Sequence, residues 1–435
     1  MKLSASLASF ESEAEPNSRW GAAPQIWKRY SDSVGTQILT SLLGVCTGIL
    51  LPRLFGPQGR GDLAVILLWP VALDFIGSLG LYRSIVYFAA KYRQDLSRLV
   101  SVCAVLAFAQ SALVVAAGIF ILPLVLKNYA PPIRNASYAF LFFIPIRQLA
   151  ILEGQLLLGV LDTKWYNACL ALPVVSYALG AAILYLWNRP SVACIVAFHM
   201  AGIALAAALG FHVIRRKLNP HWEWHIGTAT EVLRYGLKTH AGDITSFLNQ
   251  RCDQFLISFL LPGPTLGLYL AAVSLSEGLL IIPRAISGLT LASGSHCDHA
   301  GAWRWAKRSL ILSVVILAPA ALGLWILSPW LIPRLFGPAF HQSITPFKIL
   351  VPGASAMAIT LVLYGALRSI NRPEIPAYCE LLGLCATVVF LALLLKPFGA
   401  VGAAIASSAA YAATLAAVLS LLWVGRRRSI AAAEG

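Results

Sequence analysis

The six residues PRLFGP occupy Pro52–Pro57 and return at Pro333–Pro338, each time after a long apolar run. They mark either the seam of an internal duplication or one local solution used twice, and the choice decides the architecture. The runs that precede them set the frame. Of 435 residues, 58% are hydrophobic and 12% charged, with a mean hydropathy of +0.75. Soluble domains carry about 25% charged residues, so most of this chain has to find its solvent in lipid. Apolar stretches of about 20 residues, enough to cross ~30 Å of hydrocarbon, recur along nearly its whole length.

Twelve spans are predicted, at about 33–55, 62–90, 99–126, 136–160, 165–187, 190–213, 236–261, 266–293, 307–331, 345–367, 375–395 and 399–424. The fold class expected is an all-α polytopic membrane protein. Lys and Arg fix its orientation. Twenty-two of the 33 fall on the side that also carries both termini, eight on the other, and three lie within spans. Both termini are therefore expected in the cytoplasm. The net charge of +15 is an orientation signal, which removes nucleic acid as a partner. The eight cysteines mostly sit inside apolar runs without CxxC spacing, as small core residues do.

The two PRLFGP copies lie 281 residues apart, and their flanks do not agree at that offset. At an offset of 206 the spans superimpose without gaps, and the punctuation coincides. Cys46 meets Cys252, Gly61 meets Gly267, Arg98 meets Arg304, Pro123 meets Pro329, Pro132 meets Pro338 and Gly159 meets Gly365. The chain thus reads as two six-helix bundles in parallel repeat about an axis along the membrane normal, around a central cavity. The expected division is a cytoplasmic tail over 1–30, bundles over 31–213 and 236–424, a cytoplasmic linker over 214–235 and a basic tail over 425–435. PRLFGP is then an exit device: arginine snorkels to headgroups, phenylalanine sits at the interface and Gly-Pro stops the helix.

The stretch "LPRLFGPQGRGDLAVILLWPVALDFIGSLGLYRSIVYFAAKY" (51–92) resembles the first hairpin of bacterial polysaccharide flippases. These are the Wzx-like members of the multidrug/oligosaccharidyl-lipid/polysaccharide exporter superfamily. The stretch "LNQRCDQFLISFLLPGPTLGLYLAAVSLSEGLLIIPRAISG" (248–288) is similar to the seventh and eighth helices of that family. There Asp253, Gly267, Tyr269 and Glu277 match recurring motif positions. "LYGALRSINRPEI" and "KPFGAVGAAIASS" look like its tenth-to-eleventh loop and twelfth helix. The resemblance covers residues 30–425. It implies transport of a lipid-linked oligosaccharide from the inner to the outer leaflet by alternating access.

Eight ionisable residues lie inside predicted spans: Asp74, Arg147, Glu153, Asp243, Arg251, Asp253, Glu277 and Arg284. Each costs ~2.5–3.5 kcal/mol at a helix centre, so most must face a wet cavity or one another. Guanidinium stays charged and binds phosphate bidentately. Arg147, Arg251 and Arg284, with Asn249, are therefore the candidates for holding a polyprenyl diphosphate headgroup. Asp253 and Glu277 are the candidates for coupling to H+ or Na+. Glu277 and Arg284, seven apart, share a helix face, as do Asn249 and Asp253, four apart. Buried structural ion pairs are the competing explanation for all of these charges.

No cofactor or metal is expected. His296-Cys297-Asp298-His299 crowds its ligands too closely for the usual zinc spacing. Two other functions compete with the flippase. A drug or cation antiporter of the related multidrug branch wants an acidic cavity with few arginines. A polytopic glycosyltransferase, polymerase or ligase wants a catalytic external loop, and this chain has no long one and no P-loop, HExxH or GxSxG.

Overall fold

The computed structural model describes residues 23–434, apart from Arg93, Gln94, His296, Asp298 and Pro373. The expected N-terminal tail up to residue 22, and the side chains of the basic C-terminal run, lie outside the described residues, as do His296 and Asp298 of the histidine-rich motif.

Thirteen α-helices and no strand occur among the described residues. They are α1 (Ala23–Gly77), α2 (Leu81–Lys91), α3 (Leu96–Val125), α4 (Pro131–Phe142), α5 (Ile144–Gly159), α6 (Thr163–Leu186) and α7 (Val192–Leu218). After a short non-helical connection come α8 (Ile226–Leu260), α9 (Gly263–Glu277), α10 (Ile281–Ser295), α11 (His299–Phe336), α12 (Ile344–Ser369) and α13 (Glu374–Glu434). Eight helical stretches are long and apolar enough to span a membrane, nine with the bent pair α4–α5. Two of the eight contain a non-helical glycine, Gly56 in α1 and Gly399 in α13. Dividing them there, and adding α8, reproduces the twelve passages read from the sequence. α8 falls short on hydropathy because Asp243, Asn249, Gln250, Arg251, Asp253 and Gln254 all ride on it. The chain is an all-α polytopic membrane protein.

Both PRLFGP copies break a helix at the same residue, their glycine. Gly56 has φ 65° and Gly337 φ 103°, a region where a Cβ is penalised. Neither glycine has any atom near the position of a Cβ, so backbone angle and not space requires it. A 3-10 turn starts at Pro338, immediately after the second copy's glycine. The hexapeptide is a helix terminator used twice.

The helices fall into two compact units. The first contains the chain up to Thr47, Trp69–Leu124 and Arg134–His240. Its core joins Leu81, Ile85 and Phe88 of α2 to Leu99 and Cys103 of α3, Leu152 and Leu156 of α5, and Val213 of α7. Burying such side chains stabilises by ~1.5–3 kcal/mol each against water; between helices in lipid, close packing and hydrogen bonds take over that role. Accordingly Ser84 donates to the carbonyl of Val232 on α8 at 2.8 Å. The segment between α7 and α8 is strapped to the start of α3. Arg98 Nε and Nη2 donate to Glu223 at 3.0 and 2.8 Å, and Glu223 N donates to Ser101 at 3.1 Å. Nearby Tyr92 donates to Glu231 at 2.6 Å, and that bond pushes the phenol above its ordinary pKa.

The second unit contains Gly48–Leu68, Val125–Ile133 and Ala241 onward. α12 is its hub: 67% of its apolar window is buried, against 11% for α11, which leaves Ile311, Leu322, Ile326 and Trp330 exposed. Serines tie neighbours to the hub, Ser287 to the carbonyl of Leu361 at 2.6 Å and Ser408 to that of Ile349 at 2.7 Å. One contact in this unit repeats itself. A Cβ on Gly61 would strike the carbonyl of Gly263, and a Cβ on Gly267 would strike the carbonyl of Pro57. Pro57 and Gly263, like Gly61 and Gly267, are separated by 206 residues, the repeat offset of the sequence. The contact is reciprocal, as in a two-fold interface.

Candidate functional site

The second unit gathers most of the candidate side chains through α8, α9 and α10. α9 ends at Glu277, a 3-10 turn covers Gly278–Leu280, and α10 restarts at Ile281. The tightened turn changes the angular register between Glu277 and Arg284 from that of a continuous α-helix. Both nevertheless line one pocket, with Asp253, Tyr269, Ser276 and Tyr411. Its free volume is about 30 Å3, space for one or two waters and well short of a diphosphate.

Asp253 is 5% exposed and fully engaged. Its Oδ2 accepts from the hydroxyls of Tyr269 and, at 3.1 Å, Ser407; its Oδ1 accepts from the Gln254 amide at 2.7 Å. Three helices thereby fix one carboxylate, the arrangement a buried charge demands. Glu277 is held differently. Its Oε1 lies 3.8 Å from Arg251 Nη1, and both side chains are more than a third exposed. Arg284 is exposed and makes no ion pair among the described residues. The pocket and its rim therefore hold two guanidinium groups and two carboxylates, of which only Arg251 and Glu277 are paired with each other.

Asn249 faces elsewhere. Its Nδ2 donates to Glu380 at 2.8 Å and its Oδ1 accepts from Thr387 at 3.1 Å, both on α13. Gly383 leaves the room for this amide, since a Cβ there would lie 3.1 Å from Asn249 Nδ2. Asn249, Glu380 and Thr387 are buried, and the amide bridges helices. Sequence reasoning missed Glu380, because it sits near the predicted start of its span. The signal was present as a lone acid among Cys379, Leu381 and Leu382.

In the first unit, Arg147 on α5 pairs with Asp74 on α1, and Gln148 Nε2 donates to Asp74 at 2.5 Å. Asp74 is 1% exposed, so this is a closed, internally satisfied pair. Glu153 buries its carboxyl against Gly210 of α7, and Asp243 is half-buried on α8.

Comparison with known proteins matches this architecture. The model of the family described as polysaccharide biosynthesis protein matches residues 26–291, more than half of the chain. No curated protein sequence matches. Among solved structures, lipid II flippase MurJ in an inward closed conformation has 14% identity and a TM-score of 0.75, over 90% of this chain and 87% of that one. An inward-facing multidrug resistance MATE family transporter of the MOP superfamily has 12% identity and a TM-score of 0.73, over 90% and 95%. A MOP superfamily transporter from Pyrococcus furiosus, described as having reversed polarity in its binding pocket, has 12% identity and a TM-score of 0.55, over 91% and 92%. At these identities the likeness establishes the shared fold.

Proposed function

Because the chain belongs to the polysaccharide biosynthesis protein family, we propose that it is a flippase for a lipid-linked oligosaccharide. It carries a polyprenyl diphosphate sugar from the cytoplasmic to the outer leaflet of a bacterial cytoplasmic membrane by alternating access. The product feeds cell-surface polysaccharide assembly of the O-antigen or lipopolysaccharide kind. Both termini are cytoplasmic, the two halves of the chain, 31–213 and 236–424, rock during the cycle, and the polyprenyl tail stays among membrane lipids.

The observation that supports this reading best is Arg284. A guanidinium without an acidic partner, in a pocket lined by α8, α9, α10, α12 and α13 of a membrane protein, calls for an anion from outside the chain. A phosphate headgroup supplies one with matching bidentate geometry. Arg251 stands next to the same pocket through Glu277. Asp253 and Glu277 are the groups positioned to take up H+ or Na+ during the cycle.

A drug or cation antiporter draws support from Asp253, a carboxylate at the pocket wall, and from the likeness to multidrug transporters. The two guanidinium groups disfavour an organic cation there. The deciding experiment removes the gene from a strain without a redundant flippase. Lipid-linked glycan should accumulate on the cytoplasmic face, and its failure to do so would reject the flippase.

A further inference from the structure

We propose that Glu277 is a resident competitor for Arg251: in the empty site its carboxylate takes the place of a substrate phosphate, and so it selects which anions the pocket admits. The inference rests on the reading of this pocket as a site for an anionic headgroup.

Four observations carry it. The Arg251–Glu277 contact is loose, at 3.8 Å with side chains 37% and 39% exposed, so an incoming anion can reach it. The Arg147–Asp74 pair shows the opposite design, with a carboxylate 2% exposed and a further donor from Gln148. Second, Glu277 makes no hydrogen bond among the described residues beyond that ion pair, whereas Asp253 is pinned by Tyr269, Ser407 and Gln254. Of the two carboxylates, only Glu277 is free to swing. Third, Glu277 closes α9 immediately before the 3-10 turn, a place where a helix bends readily. Fourth, Glu277 is one wall of a pocket with only about 30 Å3 free, so withdrawal of its carboxylate widens that pocket.

Charge decides the rest. Arg251 and Asp253 on α8, Arg284 on α10 and the phenols of Tyr269 and Tyr411 are the titratable groups around Glu277, while α12 presents Leu350, Ala354 and Met357. Two cations stand against two carboxylates. The empty site has no net charge to draw in a weak anion, and a tethered carboxylate competes at millimolar effective concentration or above. Chloride and simple carboxylates lose that competition. A diphosphate wins it, because its two phosphates can engage Arg251 and Arg284 together in charge-assisted bonds. The carboxylate of Glu277 that is displaced then offers itself to a proton or sodium ion, which ties cation entry to headgroup entry.

The test measures binding of geranyl diphosphate to the full-length protein in lipid nanodiscs by calorimetry, with and without excess chloride. E277Q should bind the probe about fivefold tighter than the wild type, the equivalent of ~1 kcal/mol for a part-exposed ion pair. Chloride should weaken probe binding to E277Q and leave the wild type unaffected. In an R251Q background, E277Q should bring no gain, which separates competition from a general rearrangement; E277A serves as the second variant if E277Q is not monodisperse. If E277Q gains nothing while R284Q still weakens binding, the competitor role is wrong and the headgroup reading stands. If neither wild type nor E277Q binds the probe, both are overturned.

Discussion

Replacing Asn249 by alanine should destabilise the second unit by about 1–3 kcal/mol without touching the pocket that carries Arg284. The amide is 3% exposed and joins α8 to α13 by donating to Glu380 at 2.8 Å and accepting from Thr387 at 3.1 Å. Thr387 keeps a second acceptor, the carbonyl of Gly383 at 2.9 Å, so its loss is small. Glu380, 8% exposed, loses a donor it needs. Hydrogen bonds between membrane helices contribute ~0.6 kcal/mol on average and ~1.7 at most; an abandoned buried acceptor adds a penalty of ~1–3 kcal/mol. Reversible unfolding in mixed micelles of mild detergent and SDS measures the difference. The cycle with Glu380→Gln should show a coupling of about 1 kcal/mol, because the second change removes the need for the amide. Unfolding of Asn249→Ala within ~0.3 kcal/mol of wild type, with headgroup binding lost, would refute the bridging role and make Asn249 a ligand of the substrate.

Three further outcomes follow from the same geometry. Gly267→Val drives a branched side chain into the Pro57 carbonyl, and overpacking of this kind costs ~1–3 kcal/mol; a melting profile unchanged from wild type would show that the close approach relaxes freely. Asp253→Asn turns an amide toward the hydroxyls of Tyr269 and Ser407, and should slow flipping at least about tenfold, an extra barrier of ~1.4 kcal/mol, in protein that still elutes as a single species. Moving negative charge outward across a membrane with a negative interior is favourable by ~2.3 kcal/mol per charge per 100 mV. Reconstituted flipping should therefore run faster at −100 mV than at zero, and equal rates would count against an anionic cargo.

The twelve passages were legible in the sequence because lipid punishes unsatisfied backbone, leaving only long helices, and long apolar runs show them plainly. α8 was read as a span at 236–261 as well, although it is too polar for a hydropathy test. The repeat offset was legible too, from breakers such as Gly61 and Gly267. The site was legible only in part. Residue type told that Arg251, Asp253, Glu277 and Arg284 needed a polar setting, and three of them line one pocket with the fourth paired at its edge. Partner choice was not readable. Asn249 and Asp253 are four apart on one helix, yet Asn249 turns to Glu380 and Asp253 to Tyr269 and Ser407. Those partners come from helices more than a hundred residues away, in α13, or from a tyrosine on the next helix, and spacing along α8 holds no record of them. The 3-10 turn after Glu277 was equally hidden, since Gly278-Leu279-Leu280 fits an α-helix as well.

The mutual seating of Gly61 and Gly267 has an evolutionary consequence. Elsewhere the two halves have been at liberty to drift apart, and their letters now agree little. At this spot each half supplies both the notch and the ridge that fills the other's notch, so a larger residue on either side has no room made for it by shrinking the other, which is already the smallest. Relatives that keep this seat should therefore carry glycine at both positions together, and lineages that abandoned it should have lost both. Ancestry would then survive longest at the point where the twin halves meet.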